Sequence, residues 1–310
     1  MTPAAKFARI SAAAGGLVWC VTLFIRTGDS AETELIQKIF LLAVFVIVPL
    51  GIALISPEQD WIALRYASWF QPLAALLCFT SFILPQGFVA GILASFWLAT
   101  ISLIALAGLL RILLSAPHVS LELSVNFGML YLPIGGAWLV ASRLGIQPLG
   151  FGDTMVLLTA VHFHFAGFAA PVLAGLAGRT VMAGTRQARA VGVAEGGIVL
   201  GTPLVAAGIT FSPTLALGGA LVVTIGLGLL AVSVIASVVP KLHSRPAQVL
   251  LWIASISSLG AMVLACLYAY SIVTHTLIID IPHMAMTHGL LNSFGFALCG
   301  LLAWTVNELR

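Results

Sequence analysis

The stretch IFLLAVFVIVPLGIALIS, residues 39–56, runs for eighteen residues without a charged side chain. At 1.5 Å of rise per helical residue, a run of about this length crosses the hydrocarbon of a bilayer. Its apolar character is continuous and does not alternate at every second residue, which indicates a helix and not a barrel strand. Runs of the same kind recur along the chain. Ten spans are expected, at about 8–25, 36–56, 62–84, 87–110, 120–142, 154–177, 193–212, 214–238, 247–273 and 284–306. Most connections between them are too short to hold an extramembrane domain.

The whole composition agrees with that reading. Of 310 residues, 61% are hydrophobic and 7% are charged, against about 25% charged in globular chains. So little polar surface excludes a soluble enzyme and a nucleic-acid binder. The expected fold is all-α, a polytopic transmembrane helix bundle forming a single domain over 1–310.

Cationic loops are retained in the cytoplasm, so the 13 Lys and Arg residues give the orientation. Lys6, Arg9, Arg65, Arg111, Arg179, Arg186, Arg189, Lys241, Arg245 and Arg310 fall on one side; Arg26, Lys38 and Arg143 fall on the other. This places both termini in the cytoplasm and locates the protein in a bacterial inner membrane. Lys6 and Arg9 before an apolar run resemble a signal peptide, but no small-x-small cleavage site precedes Arg26, and a retained helix is expected. The loop at about 178–192, with three arginines and no acid, is expected to lie on anionic lipid.

Ionisable groups inside spans are costly and therefore informative, at about 2.5–3.5 kcal/mol each on insertion scales. Glu122 and Asn126 open the fifth span, Asp153 stands at the mouth of the sixth and His162 and His164 in its middle. Glu195 opens the seventh span, and His288 and Asn292 occupy the tenth. Glu122 with Asn126, and His288 with Asn292, are four apart and share helix faces. Asp153 and His164, eleven apart, also return to one face. His162 and His164 are about 200° apart and cannot hold one metal from a regular helix; one is expected at a site and the other in an interhelical hydrogen bond. Depth then suggests a central His/Asn cluster with one carboxylate on one side and two on the other. The bland alternatives are first-turn capping for Glu122, Asp153 and Glu195, and interhelical bonding for the histidines. His118, His243, His275 and His283 fall in loops or at span ends.

Phe163, Phe165 and Phe168 flank the histidines, with packing the simplest role and substrate contact by Phe168 the alternative. Gly218, Gly219, Gly226 and Gly228 suit close contact of the eighth span. Gly196, Gly197, Gly201 and Pro203 make the seventh a candidate for a kink or a broken helix near Glu195. Cys20, Cys78, Cys266 and Cys299 stand singly in apolar runs, without metal-ligand spacing, and are expected to be buried small apolar residues.

The segments LTAVHFHFAGF (158–168) and THGLLNSFGFALCGLLAW (287–304) resemble the YndJ-like family of bacterial multi-pass membrane proteins. The likeness rests on His162-x-His164 and on His288-Gly289-x-x-Asn292, and it implies that these polar positions belong to one site. The size and polytopic build are also similar to those of the bacterial membrane terpene cyclases, which implies protonation-initiated cyclisation of a lipophilic isoprenyl substrate without loss of diphosphate. On that reading Glu122 or Asp153 donates the proton, His162, His164 or His288 orients the acid or removes the final proton, and Asn126, Glu195, Asn292 and Phe168 position the substrate. No cofactor or metal is required, and no Asp-rich diphosphate motif is present. The competing expectation is a proton-coupled secondary transporter using the same acids and histidines. A third is a membrane protein whose three histidines ligate a metal or haem. The partners implied are a lipophilic small molecule and membrane lipid, without nucleic acid; the sequence carries no signal for an oligomeric state.

Overall fold

The computed structural model describes residues 1–55, 61–114 and 122–308. His118 and Arg310, and the limits 56 and 120 of two expected spans, lie outside the described residues. Every regular element described is helical, and ten helices are long and apolar enough to cross a membrane. They are α1 Pro3–Thr22, α2 Ala31–Ile55, α3 Ile62–Ile83, α4 Phe88–Leu114, α5 Leu123–Leu144, α6 Asp153–Thr180, α7 Arg186–Phe211, α8 Pro213–Lys241, α9 Arg245–Val273 and α10 Ile281–Glu308. Two compact units divide the chain: Met1–Val119 with Asn126–Ala169, and Ser120–Val125 with Ala170–Arg310.

In the first unit α2, the helix that carries the apolar run from Ile39, is buried at every residue from Ile36 to Ile55. An all-round apolar helix has no polar face to present elsewhere, so it becomes a core element. Its cation Lys38 bonds the carbonyls of Thr22 (2.6 Å) and Ile25 (2.5 Å) at the end of α1, with Glu34 at 3.7 Å. Arg143 does the same for α3, reaching the Leu84 carbonyl at 2.8 Å from over the Phe82 ring. Both cations meet carbonyls that a helix C-terminus leaves unpaired, where positive charge suits the dipole.

Three spans contain a wide π turn two residues before a proline: Ala43–Ile47 before Pro49, Phe165–Ala169 before Pro171, and Val234–Val238 before Pro240. Proline lacks an N–H and crowds the preceding turn, and widening that turn accommodates both effects. In α2 the carbonyl of Val44 within such a turn accepts from Gln71 Nε2 of α3 (2.8 Å), and Ser11 of α1 donates to Gln71 Oε1 (2.6 Å).

In the second unit α7 and α8 form a hairpin joined at Ser212, whose hydroxyl caps α8. Small residues let the backbones meet: a Cβ on Gly197 would stand 3.2 Å from Gly226 Cα, and one on Gly219 would stand 2.7 Å from Val205 N. Gly219 and Gly226 fill the expected role, whereas nothing lies within 4 Å of a Cβ on Gly218 and Gly228 has only Leu259 at 4.0 Å.

Three expectations need correction. Helix α7 begins at Arg186, capped by the Thr185 hydroxyl on Ala188 N, and not near 193. The long arginine loop therefore shrinks to about 181–185, because a charged first turn continues a helix where hydropathy alone stops it. Pro203 lies inside an unbroken α7, so no broken helix forms there. Cys20 is exposed, and Cys266 and Cys299 are half-buried; Cys78 alone is buried.

The adjacent glycines of α8 offer a direct check on this packing. Gly219→Leu should lower stability by about 1–3 kcal/mol, the usual cost of overpacking, while Gly218→Leu should leave it within about 0.5 kcal/mol. Thermal unfolding of both variants in detergent measures the difference; equal melting temperatures would contradict the close α7–α8 contact.

Candidate functional site

Among the residues singled out from sequence, Asn126, Asp153, His162, His164 and Phe168 belong to the first unit. Glu122, Glu195, His288 and Asn292 belong to the second.

His164 is fully buried at the last α-helical turn before the π turn of α6. Its Nδ1 donates to the Ala160 carbonyl at 2.8 Å, so its Nε2 is the acceptor for Trp97 Nε1 of α4 at 3.0 Å. Phe40 of α2 packs edge-on at 4.8 Å, and Gly135 of α5 leaves room for the ring, since a Cβ there would stand 2.7 Å from Nδ1. Both ring nitrogens are used, so His164 ties four helices together as the interhelical bonder of the pair. His162 is the exposed member, its Nδ1 donating to Leu158 O at 2.8 Å.

Phe168 is buried with its ring against Gly51, where a Cβ would stand 2.5 Å from Cζ, so it packs the core. Asp153 is exposed in the first turn of α6 and accepts from Gln147 Nε2 at 3.0 Å, a helix-start role. Asn126 is 1% exposed, and neither atom of its amide has a hydrogen-bond partner among the described residues. The expected couple with Glu122 is not made, because Glu122 precedes the first turn of α5.

In the second unit the His288–Asn292 couple does form. Asn292 Nδ2 donates to His288 Nε2 at 3.0 Å while His288 Nδ1 donates to the Ala261 carbonyl of α9 at 2.8 Å. This part of α10 is π-helical over Ala285–Gly289 and Leu291–Leu298, a geometry often found at functional positions. Outside the span, Asp280 caps α10 through His283 N (2.9 Å) and accepts from His283 Nδ1 (2.6 Å). The backbone N–H of His283 foremost, and then its ring, hold the Asp280 carboxyl below its ordinary range.

Sequence reading missed the partners in one more cluster. Arg179, at the end of α6, grips Glu122 with Nε on Oε1 (2.7 Å) and Nη2 on Oε2 (2.9 Å), so it is a paired cation and does not simply lie on lipid. Glu195 is 8% exposed, nine residues inside α7, about 13 Å from its start, which removes the capping role. Its Oε1 and the Oγ of Ser124, itself 3% exposed, have no hydrogen-bond partner among the described residues beyond each other. The Ser124 hydroxyl is within hydrogen-bonding reach of the Glu195 carboxyl, and the Glu122 carboxylate is near enough to repel it. Gly175 and Gly178 make the space: a Cβ on Gly178 would stand 2.7 Å from Glu195 Oε1, and one on Gly175 would stand 3.0 Å from Ser124 Oγ. The available signal was the Gly175-x-x-Gly178-Arg179 pattern, small residues one turn apart beside a cation.

Among the described residues, no three His, Cys, Asp or Glu side chains converge as a metal ion would need. The two apolar clefts are lined by no Asp, Glu or His. One, in the second unit, has Leu173, Leu230, Ser255, Phe296 and Trp304 among its walls; the other, in the first, has Phe70, Phe96 and Thr100.

A family model described as YndJ-like protein matches residues 38–296. The chain belongs to the YndJ-like family. Among its relatives, the uncharacterized membrane protein YndJ of Bacillus subtilis (strain 168) is 30% identical over 225 residues, 72% of this chain and 39% of that protein. The chain thus spans about two fifths of that relative's length, given the 39% coverage. No solved structure matches. The family match reaches well beyond the two histidine motifs, and it includes Glu122, Arg179 and Glu195.

Two measurements follow from this geometry. Trp97→Phe, which removes the donor to His164, should cost at least about 1 kcal/mol in thermal unfolding; an unchanged melting temperature would show that the bond is not structural. Because the Asp280 carboxyl is held low in the folded protein, its cap is in place above the ordinary carboxylate range and is lost as pH falls through the lowered value. Amide exchange in the first turn of α10 should therefore accelerate on acidification in the native protein and be fast throughout in Asp280→Ala.

Proposed function

We propose that this multi-pass membrane protein is a proton-coupled secondary transporter and that Glu195 is the group that carries the proton. The observation that supports this reading is the buried Glu195 carboxyl, with the Ser124 hydroxyl beside it, next to a Glu122–Arg179 ion pair. With Glu195 ionised, two carboxylates face one guanidinium and the cluster carries one net negative charge in a medium that solvates charge poorly. One proton on Glu195 removes that charge. The Ser124 hydroxyl can donate to the ionised carboxylate and accept from the protonated one, so it partners Glu195 in both states. Asn126 is as deeply buried, but an amide has no proton to exchange.

Transport needs this group to meet each side of the membrane in turn. The glycine-lined contact of α7 with α8 offers a surface on which the helix bearing Glu195 can shift without unpacking large side chains. The distribution of cations supports a topology with both termini in the cytoplasm of a bacterial inner membrane, and on that topology the Glu122–Arg179–Glu195 cluster would lie in the cytoplasmic half. Acid-initiated cyclisation of an isoprenyl chain would use the same carboxylates, but it asks for an acid at an apolar cleft, and neither of the two clefts described has one in its wall.

Reconstitution into liposomes under an imposed pH gradient tests the proposal, with internal pH followed by a dye while lipophilic solutes are supplied. Wild-type protein should show solute-dependent proton flux, Glu195→Gln should abolish it, and Ser124→Ala should reduce it about two- to tenfold, the value of one hydrogen bond. Flux retained in Glu195→Gln would remove Glu195 from the mechanism. A prenylated substrate turned by wild-type membranes into an isomer of unchanged mass would replace transport by cyclisation.

A further inference from the structure

The second unit carries a concentration of exposed positive charge at one end. Arg186 and Arg189 lie in the first turns of α7, Lys241 closes α8 and Arg245 opens α9, and all four are exposed. Lys241 Nζ donates to the Thr180 carbonyl at the end of α6 (2.9 Å), six residues before Arg186, and Arg245 follows Lys241 by four residues, while His243 N donates to Asn307 Oδ1 of α10 (3.3 Å). Lys241 keeps two of its three ammonium hydrogens for another acceptor. Among the described residues at this end, Glu122 is held by Arg179, and Glu308 is the exposed acid. Four exposed cations therefore face one exposed carboxylate.

What lies below the cations identifies the ligand. On α7, Val193 follows Arg186 by seven residues and Arg189 by four, and Leu200 follows Arg189 by eleven, so all share one face. Val193 is 61% exposed and Leu200 64%. On α9, Val249, Trp252 and Ile256 follow Arg245 by four, seven and eleven residues, again on one face, and all three are among the exposed large hydrophobic side chains. Each stripe is cationic at the helix end and apolar for several turns toward its middle. An inorganic anion would use only the top of such a stripe, and a neutral lipid only the lower part. A molecule with an anionic phosphate head and hydrocarbon chains uses both.

We propose that this face, formed by the ends of α7, α8 and α9, is a binding site for an anionic phospholipid. Arg186, Arg189, Lys241 and Arg245 hold the phosphate region, and Val193, Leu200, Val249 and Trp252 line the acyl chains. The site is separate from the Glu195 cluster and does not depend on transport.

The test uses the full-length protein in detergent, with phosphatidylglycerol and phosphatidylcholine of identical acyl chains added in turn and inorganic phosphate in a third arm. Retained lipid is read by native mass spectrometry and stability by thermal unfolding. Phosphatidylglycerol should be retained preferentially and should raise the melting temperature, and phosphate alone should not. The variant Arg186→Gln/Arg189→Gln/Lys241→Gln/Arg245→Gln should hold phosphatidylglycerol at least tenfold and up to about a thousandfold less tightly. Its melting temperature in lipid-free detergent should match wild type; if it does not, Arg245→Gln alone serves, with a smaller loss of the same lipid. Equal retention of both lipids, an undiminished preference for phosphatidylglycerol in the variants, or equal stabilisation by inorganic phosphate would each overturn the assignment.

Discussion

Within a bilayer no water is available to satisfy a polar atom, so each polar group in a span must find its partner in the chain or carry the cost of having none. Much of this structure follows from that requirement. Lys38 and Arg143 are spent on the carbonyls that end α1 and α3, and Gln71 on a carbonyl in the π turn of α2. His164 is closed off by Trp97 and the Ala160 carbonyl, and His288 by Asn292 and the Ala261 carbonyl. Against that background the Glu195 carboxyl stands out, because it is ionisable and buried, with a serine for a partner and a second carboxylate nearby. A carboxyl so placed is expensive while ionised and is relieved by a proton, and that is the physical basis for assigning it a function.

The helices are held by two devices besides hydrophobic matching. Glycines bring α7 and α8 to backbone contact, where dispersion between close-packed surfaces replaces the hydrophobic effect that lipid cannot supply. Prolines two residues beyond a π turn are accommodated in α2, α6 and α8 without breaking them. In α6 the π turn follows His164 directly and also ends the first compact unit at Ala169. The histidine motif and the passage of the chain from one unit to the next thus fall within one local distortion of a helix.

The ten spans were legible because length and continuous apolarity are strong signals for a segment that must cross hydrocarbon. Their ends were less so. Hydropathy stops at charged residues, whereas α7 continues through Arg186 and Arg189 to its Thr185 cap, and this error made Glu195 look like a first-turn residue. The His288–Asn292 couple was readable from its four-residue spacing, and so was an interhelical hydrogen bond for one histidine of the 162/164 pair. The pairing of Glu122 with Arg179 was not, since 57 residues separate them and no local period connects them. Nor was the role of Gly175 and Gly178, whose importance lies in what they admit beside them. The prolines at 49, 171 and 240 were visible, but the turns that they widen were not anticipated.

The central claim is that Glu195 binds an exchangeable proton that it shares with Ser124. Infrared difference spectroscopy of the protein in lipid, recorded between two pH values, observes this most directly. The account predicts a protonated-carboxyl band that appears at the lower pH, disappears in Glu195→Gln and shifts in Ser124→Ala as the hydrogen bond is lost. A spectrum in which Glu195→Gln leaves every protonated-carboxyl band in place would contradict it.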